Sequence, residues 1–136
     1  MTSESSVRLI QPSELSDQAP YAYAAVAVRP SRLVFTAGAC PLDAHGAVVA
    51  VGDVAAQSEQ VMANLRVALA AAGARLTDVV KTTVYVATGR REDLLAAWEV
   101  VHRHFADHEA PSTLLGVAVL GYRDQLVEVE AIAALP

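Results

Sequence analysis

A nine-residue segment near the middle of the chain decides how the rest is organised: VVKTTVYVA, residues 79–87. Most of its residues are β-branched, which favours an extended strand. Its side chains alternate between an aliphatic set and a mixed set: Val80, Thr82, Val84 and Val86 on one side, and Lys81, Thr83 and Tyr85 on the other. We therefore predict a strand with one face covered by helices and an opposite face that carries polar groups.

A second segment near the C-terminus, residues 126–134, alternates in the same way. Its aliphatic side chains face away from a set that includes two carboxylates: Val127, Val129 and Ala131 against Glu128, Glu130 and Ile132. A purely solvated sheet face would carry more Lys and Glu. The mixed face is therefore expected to meet other subunits and to enclose polar sites between them.

The remaining elements are predicted from periodicity and turn residues. Asp53 suits the N-cap of a helix that ends at Gly73, and a second helix is predicted over residues 91–107. Strands are predicted at residues 7–10, 21–28, 32–37, 47–51 and 113–120, the second and third forming a hairpin at Pro30. The resulting order, ββ(β)αβαββ, predicts one α+β domain over residues 1–136, with an irregular lead-in at residues 1–17 and two helices on one face of a mixed sheet.

Composition excludes several classes of protein. With 54% hydrophobic and 18% charged residues, the chain is not intrinsically disordered, and its apolar excess is expected to lie in a subunit interface. A net charge of −5 without a basic run argues against a nucleic-acid partner. Residues 1–6 lack the pattern of a signal peptide, and the longest apolar run, residues 21–28, is too short to span a membrane. Together with the single cysteine, Cys40, these features predict a soluble cytoplasmic oligomer.

Few residues suggest chemistry by themselves. Glu128 and Glu130 are either solvated strand carboxylates or carboxylates of a subunit cleft that position water or move a proton. His104 and His108 have helical i, i+4 spacing, but no metal site is predicted, because no intervening Glu and no further His or Cys cluster completes one. Cys40 is expected to be an inert, at least half-buried thiol.

Five segments follow one another between residues 18 and 134: PY at 20–21, FTAGACP at 35–41, the helix with Gln57, Asn64 and AAG at 71–73, DVVKTTVYV at 78–86, and VEVEAIA at 127–133. Together, in this order and spacing, they resemble the RidA family, also called YjgF or L-PSP proteins. The resemblance implies a chorismate-mutase-like α+β fold, a homotrimer with sites between subunits, and hydrolysis of reactive enamines and imines to ketones and ammonia. It implies no metal and no other cofactor.

The resemblance also implies roles for individual residues. Tyr21 and the backbone turn at Gly38 are expected to bind the substrate, and Glu130 with a water molecule is expected to carry the proton transfer. Ala37 stands where the family has a serine, and Trp98 lies near the position of a family asparagine. Both are therefore predicted to line the substrate site, although Trp98 also fits the core stripe of its helix.

One family residue, the arginine that clamps the substrate carboxylate, is absent. Depending on the alignment, Ser112 or Thr113 takes its place, and neither is basic. Arg29, Arg32 and Arg123 are candidates to replace it from a neighbouring subunit. Three functions stay open: an enamine or imine hydrolase with altered substrate choice, a non-catalytic ligand-binding or regulatory trimer, and the endoribonuclease activity of the L-PSP name, which the acidic charge disfavours.

Overall fold

The computed structural model describes residues 5–136, and within this range the chain forms two α-helices and six strands in a single domain. In chain order the elements are β1 (Val7–Ile10), β2 (Ala24–Ala27), β3 (Arg32–Phe35), α1 (Val54–Ala71), a 3₁₀ turn (Leu76–Asp78), β4 (Val79–Ala87), α2 (Arg91–Phe105), β5 (Ser112–Val117) and β6 (Val127–Leu135). The first four residues of the predicted lead-in, and most of the segment considered for a signal peptide, lie outside the described residues.

Four strands form the main sheet in the order β3-β6-β4-β5. β4 and β5 are parallel and are joined through α2, whereas β6 runs antiparallel to both of its neighbours. The two short strands β1 and β2 pair separately. Both helices contribute to one hydrophobic core with the main sheet. The predicted α+β fold, with two helices on one face of a mixed sheet, is confirmed.

Helix α1 begins and ends where its sequence predicts. The Asp53 side chain accepts a hydrogen bond from Ala56 N at 3.0 Å, and Gly73 adopts a φ of +82° just after the helix. The large apolar side chains that α1 buries completely lie on one stripe: Val61, Met62, Leu65 and Leu69. Each contributes roughly 1.5–3 kcal/mol of burial free energy. Within residues 5–136, neither helix combines the length and apolar character that crossing a membrane requires.

The predicted hairpin between residues 21–28 and 32–37 is wrong. β2 pairs with β1, and β3 pairs with β6 at the other end of the chain. Arg29, with a φ of 45°, turns the chain between the two strands, and Ser31 N then donates a hydrogen bond to Leu135 O. β3 therefore joins the main sheet at the free edge of β6. This pairing joins segments about 100 residues apart, so the turn residues between β2 and β3 do not indicate it.

Other boundaries shift by a few residues. Residues 47–51 form an isolated bridge between Leu42 and Val48 instead of a strand, because the chain turns again at Ala50, with a φ of 48°. Helix α2 stops two residues earlier than predicted, since Ala106 adopts a φ of 52°. β5 is also shorter than predicted and ends at Val117.

β4 spans the predicted segment but starts with a β-bulge. The register with β6 shifts between Val79 and Lys81, so that Val79 is fully buried while Val80 is only half-buried. The predicted alternation then holds, with Thr82 and Val84 buried towards the helices. Because of the bulge, and contrary to the prediction, Val80 is not buried on the helix side together with Thr82 and Val84. The rest of the strand alternates as expected.

Candidate functional site

The side of the main sheet that faces away from the helices, here called the open face, carries two rows of polar side chains. In one row, Thr83 of β4 lies opposite Glu130 of β6 and opposite Thr113 of β5. In the next row, Tyr85 lies opposite Glu128. Cβ atoms of directly opposed residues are about 4.5–5.5 Å apart, so each row forms a continuous polar surface across strands.

The Glu128 carboxylate is held in place by three neighbours. Its Oε1 accepts hydrogen bonds from Gln125 Nε2 at 3.1 Å and from Cys40 Sγ at 3.3 Å. Gln125 is only 3% exposed, so this donor has little freedom to move. A Cβ atom on Gly38 would lie 2.2 Å from Glu128 Oε2, so any larger residue there would require this carboxylate to move.

Cys40 acts in this arrangement as a hydrogen-bond donor. Burial, the hydrogen bond to Glu128 and the charge of that carboxylate raise the pKa of Cys40 to about 11. The thiol therefore keeps its proton at neutral pH and is a poor nucleophile. This agrees with the prediction of an inert thiol and adds a role in holding Glu128.

Glu130, the predicted catalytic residue, lines a separate small cavity on the open face. Its Oε1 accepts a hydrogen bond from Tyr85 Oη at 2.8 Å, and this bond, together with burial, raises the pKa of Tyr85. The cavity has a volume of about 180 Å³, and its lining includes Thr36, Lys81 and Thr83. A small molecule in this cavity would meet a carboxylate, a cation and hydroxyl groups.

Four residues predicted to bind the substrate form a groove at the β5 edge of the sheet: Tyr21, Trp98, Ser112 and Thr113. The groove has a volume of about 480 Å³. The Trp98 ring meets Tyr21 edge to face at a centroid distance of 6.2 Å and stacks on His102 at 5.7 Å. Trp98 therefore both packs against the core and lines the groove.

The remaining predicted residues lie elsewhere within this single chain. Gly38 packs against Glu128, and Ala37 beside it is exposed and lines neither the small cavity nor the groove. The predicted residues are thus distributed over three places: the groove, the cavity of Glu130, and the segment of Gly38. The predicted backbone turn at Gly38 is wrong, because this segment runs without a turn into the bridge of Ala39 with Val129. Gly38 contacts Glu128, whereas the resemblance placed Gly38 in one site with Glu130.

The two residues that compete for the arginine position point to opposite sides of β5. Ser112 Oγ accepts a hydrogen bond from Thr82 Oγ1 at 2.7 Å on the helix side of the sheet. Thr113 Oγ1 accepts a hydrogen bond from Lys81 Nζ at 2.6 Å on the open face. Thr113 is therefore the one that shares a face with the two glutamates.

Two residues that support the open face were not predicted as site residues. The sequence indicated Lys81 only as a member of the mixed strand face, and it gave no role to Gln125. In the described chain, Arg29, Arg32 and Arg123, the candidates for the missing arginine, line neither the cavity of Glu130 nor the groove. The alternation of β4 was the available signal for Lys81, whereas nothing local indicated Gln125.

The histidines near the end of α2 are used in structural contacts. His104 Nε2 lies 2.8 Å from Glu59 Oε2, a hydrogen bond that lowers the pKa of Glu59. His108 follows the end of the helix at Phe105, and its Nε2 lies 2.8 Å from Val79 O. The two histidines therefore do not share a helix face. Among residues 5–136, no group of three or more His, Cys, Asp or Glu side chains is arranged to hold a metal ion.

Comparison with known proteins identifies the family. The family model described as Endoribonuclease L-PSP matches residues 13–135. The chain belongs to the RidA family. A structure from Yersinia pestis, a protein of unknown function in the conserved Rid family, has 30% identity and a TM-score of 0.89, covering 96% of this chain and 99% of its own.

Two curated relatives also support the assignment to the RidA family. A RutC family protein from Pyrococcus horikoshii is 34% identical over 107 residues, which cover 79% of this chain and 82% of the relative. The 2-iminobutanoate/2-iminopropanoate deaminase of Salmonella typhimurium is 35% identical over 104 residues, which cover 74% of this chain and 78% of that enzyme. On its open face, this RidA protein carries the two β6 glutamates and Thr113, which accepts a hydrogen bond from Lys81.

Proposed function

We propose that this RidA-family chain hydrolyses small reactive imines and enamines, at clefts between the subunits of a homotrimer in the cytoplasm. The observation that carries the proposal is the Glu128 carboxylate, which Gln125 and Cys40 hold against the backbone of Gly38 on the open face. A fixed carboxylate beside accessible backbone groups is suited to orienting a water molecule. The Salmonella relative named as an imine deaminase supports the same chemistry.

The proposed reaction needs only water and a proton acceptor. Water attacks the carbon of the protonated C=N bond, and the carboxylate takes one proton from the attacking water. The carboxylic acid then returns that proton to the nitrogen of the carbinolamine, the C–N bond breaks to release ammonia, and the hydroxyl proton passes to the ammonia, leaving a carbonyl product. An iminium ion and water thus become a ketone and an ammonium ion, without a change in oxidation state.

Two glutamates are candidates for the proton acceptor. We assign the role to Glu128, because Oε1 receives two donors and Oε2 lies beside Gly38. Glu130, the residue predicted from sequence, is held by Tyr85 and lines the neighbouring cavity. The experiment below tests the two residues separately.

The open face supports a shared site between copies of the chain. Phe35 is 70% exposed, Leu33 51% and Leu115 43%, an apolar surface that an isolated chain would leave in contact with water. The groove of Tyr21 and Trp98 and the segment of Gly38 are separate features of a single chain. Packing of the open faces against neighbouring copies in a trimer would bury the apolar groups and bring features of different chains together.

A second candidate function is ligand binding without efficient catalysis. It is favoured by the neutral residues at the position of the family arginine, Ser112 or Thr113, because a hydroxyl is a weaker anchor for a substrate carboxylate than a guanidinium. We do not extend the endoribonuclease name of the family model to this chain. RNA binding relies on positive charge, and the net charge here is −5. Nor does any observation point to a membrane partner.

Hydrolysis of 2-iminopropanoate tests the proposal. The imine is generated by an amino-acid oxidase, and its loss is measured in competition with semicarbazide, for wild type, Glu128→Gln and Glu130→Gln. Exposed Glu99 on α2 supplies a matched control, Glu99→Gln, with the same charge change away from the open face. Sedimentation velocity verifies that each variant assembles as the wild type does.

We expect Glu128→Gln to lose at least about 100-fold in kcat, the usual contribution of a general base, while Glu99→Gln stays at the wild-type rate. Activity lost only in Glu130→Gln would move the catalytic assignment to that residue. An inactive wild type would overturn the proposed hydrolysis and favour the ligand-binding function. Full activity in both open-face variants would overturn the role of either glutamate as the proton acceptor. A monomer at micromolar concentration would overturn the shared site.

A further inference from the structure

Lys81 carries a positive charge on the open face. Within residues 5–136, the strands of the main sheet contain one other basic residue, Arg32 of β3, and its side chain lies on the helix side. Its Nζ donates a hydrogen bond to Thr113 Oγ1 at 2.6 Å. Thr113 is neutral, so this contact orients the ammonium group without neutralising its charge.

The same lysine lines the cavity of Glu130 without contacting that carboxylate. In the described part of the chain, no carboxylate oxygen lies within 4.0 Å of Lys81 Nζ. The cavity of about 180 Å³ therefore has a cation and an anion in its lining that are not paired with each other.

Strand register fixes where the ammonium group lies relative to the glutamates. Thr113 is opposite Thr83, and Thr83 is opposite Glu130, so the bond to Thr113 brings Lys81 Nζ to the row of Glu130. Glu128 belongs to the next row, two residues along β6, or roughly 6.6 Å further. The cation is thus on the same face as both carboxylates: it shares a row with Glu130, two strands away, and lies one row from Glu128.

We propose that Lys81, oriented by Thr113, binds the carboxylate of a small 2-imino acid and thereby replaces the missing arginine. This inference rests on the proposed hydrolysis and adds the group that selects the substrate. With its carboxylate on the ammonium group, a three- or four-carbon imino acid directs its C=N carbon towards the glutamates. An ammonium is a point charge, whereas a guanidinium is a planar fork, so recognition here depends on charge more than on two-point geometry.

Binding of pyruvate and of its uncharged amide, pyruvamide, tests this role independently of catalysis. Both are titrated into wild type, Lys81→Met, Thr113→Val and the double variant Lys81→Met/Thr113→Arg, with calorimetry as the readout. Arg91→Met, an exposed basic residue on α2, is the matched control for removing one positive charge. The KM and kcat for 2-iminopropanoate are measured on the same preparations.

We expect Lys81→Met to weaken pyruvate binding and raise KM at least tenfold while leaving pyruvamide binding unchanged. Thr113→Val keeps the charge and is expected to show a smaller loss. The double variant is expected to regain pyruvate binding, because it returns a cation to the same row. A wild type that binds no pyruvate, or a Lys81→Met variant that binds it normally or loses both ligands equally, overturns the role of Lys81.

The outcomes also separate this inference from the proposed function. Hydrolysis by wild type that persists with unchanged KM in Lys81→Met supports the hydrolase and removes Lys81 from substrate selection. Pyruvate binding that depends on Lys81, in a protein without hydrolytic activity, supports the carboxylate site and overturns the hydrolase.

Discussion

Substitution of Gly38 by alanine probes the contact between Gly38 and Glu128. The new Cβ would lie 2.2 Å from Glu128 Oε2 and 2.5 Å from its Cδ, far inside van der Waals contact. The φ of Gly38 lies outside the left-handed region, so the backbone itself accepts alanine. Because the obstruction comes from the side chain of Glu128, that carboxylate must move.

The cost follows from the contacts that Glu128 gives up. Moving the carboxylate breaks the hydrogen bonds from Gln125 Nε2 and Cys40 Sγ, and a hydrogen bond to a charged group contributes about 1.5–3 kcal/mol. The smaller conformational entropy of unfolded alanine offsets about 0.4–1 kcal/mol. We therefore expect a net loss of about 2–5 kcal/mol in the free energy of unfolding. Activity should fall by about 100-fold, because the proton acceptor is displaced.

Thermal unfolding and 2-iminopropanoate hydrolysis measure the two effects. Gly89→Ala is the matched control, since a Cβ at Gly89 has no neighbour within 4 Å. In a Glu128→Ala background, Gly38→Ala should cost little, because the obstructing carboxylate is gone. A Gly38→Ala protein with wild-type stability and activity would refute the proposed contact and the role of Glu128 together.

Three further predictions concern the support of this site and the core. Asn64 Nδ2 donates to Cys40 O at 2.8 Å and to Leu42 O at 2.9 Å, so Asn64→Ala should lower the free energy of unfolding by about 1–3 kcal/mol in urea titrations. The raised pKa of Cys40 makes the protonated thiol favour the folded state, so its contribution to stability is complete below about pH 9 and is lost as pH rises towards 11. Unfolding titrations should therefore show less alkaline destabilisation in Cys40→Ala than in wild type. Leu65→Ala removes a fully buried side chain and should cost about 2–5 kcal/mol in the same titrations, without changing the KM of the correctly assembled protein.

Elements governed by local interactions were predicted well from the sequence. The Asp53 cap and Gly73 bound α1, and the β-branched run over residues 79–87 is β4. The hairpin failed because its strands choose partners from opposite ends of the chain, β1 and β6. Turn residues at Pro30 indicate a reversal of direction, but they carry no information about which strand offers an open edge.

The candidate site, too, was predicted only in part, because the sequence does not show which strands pair. Four residues that the resemblance assigned to the substrate site line one groove: Tyr21, Trp98, Ser112 and Thr113. The resemblance left open whether Ser112 or Thr113 takes the place of the arginine, and hence which face of the sheet that position has. The pairing of β5 with β4 decides which face each of the two has, because neighbouring residues of a strand point to opposite faces.

The sequence by itself determined the class of fold, the family and the residue types available for chemistry, because caps, alternation and family segments are properties of neighbouring positions. Only the tertiary structure decided that Glu128 meets Gly38 and Cys40, and that Lys81 reaches Thr113. These contacts join residues 88 and 32 positions apart, Cys40 with Glu128 and Lys81 with Thr113. They depend on strand register, because a slip of one residue in β6 would turn Glu128, and a slip of one residue in β4 would turn Lys81, to the other face of the sheet.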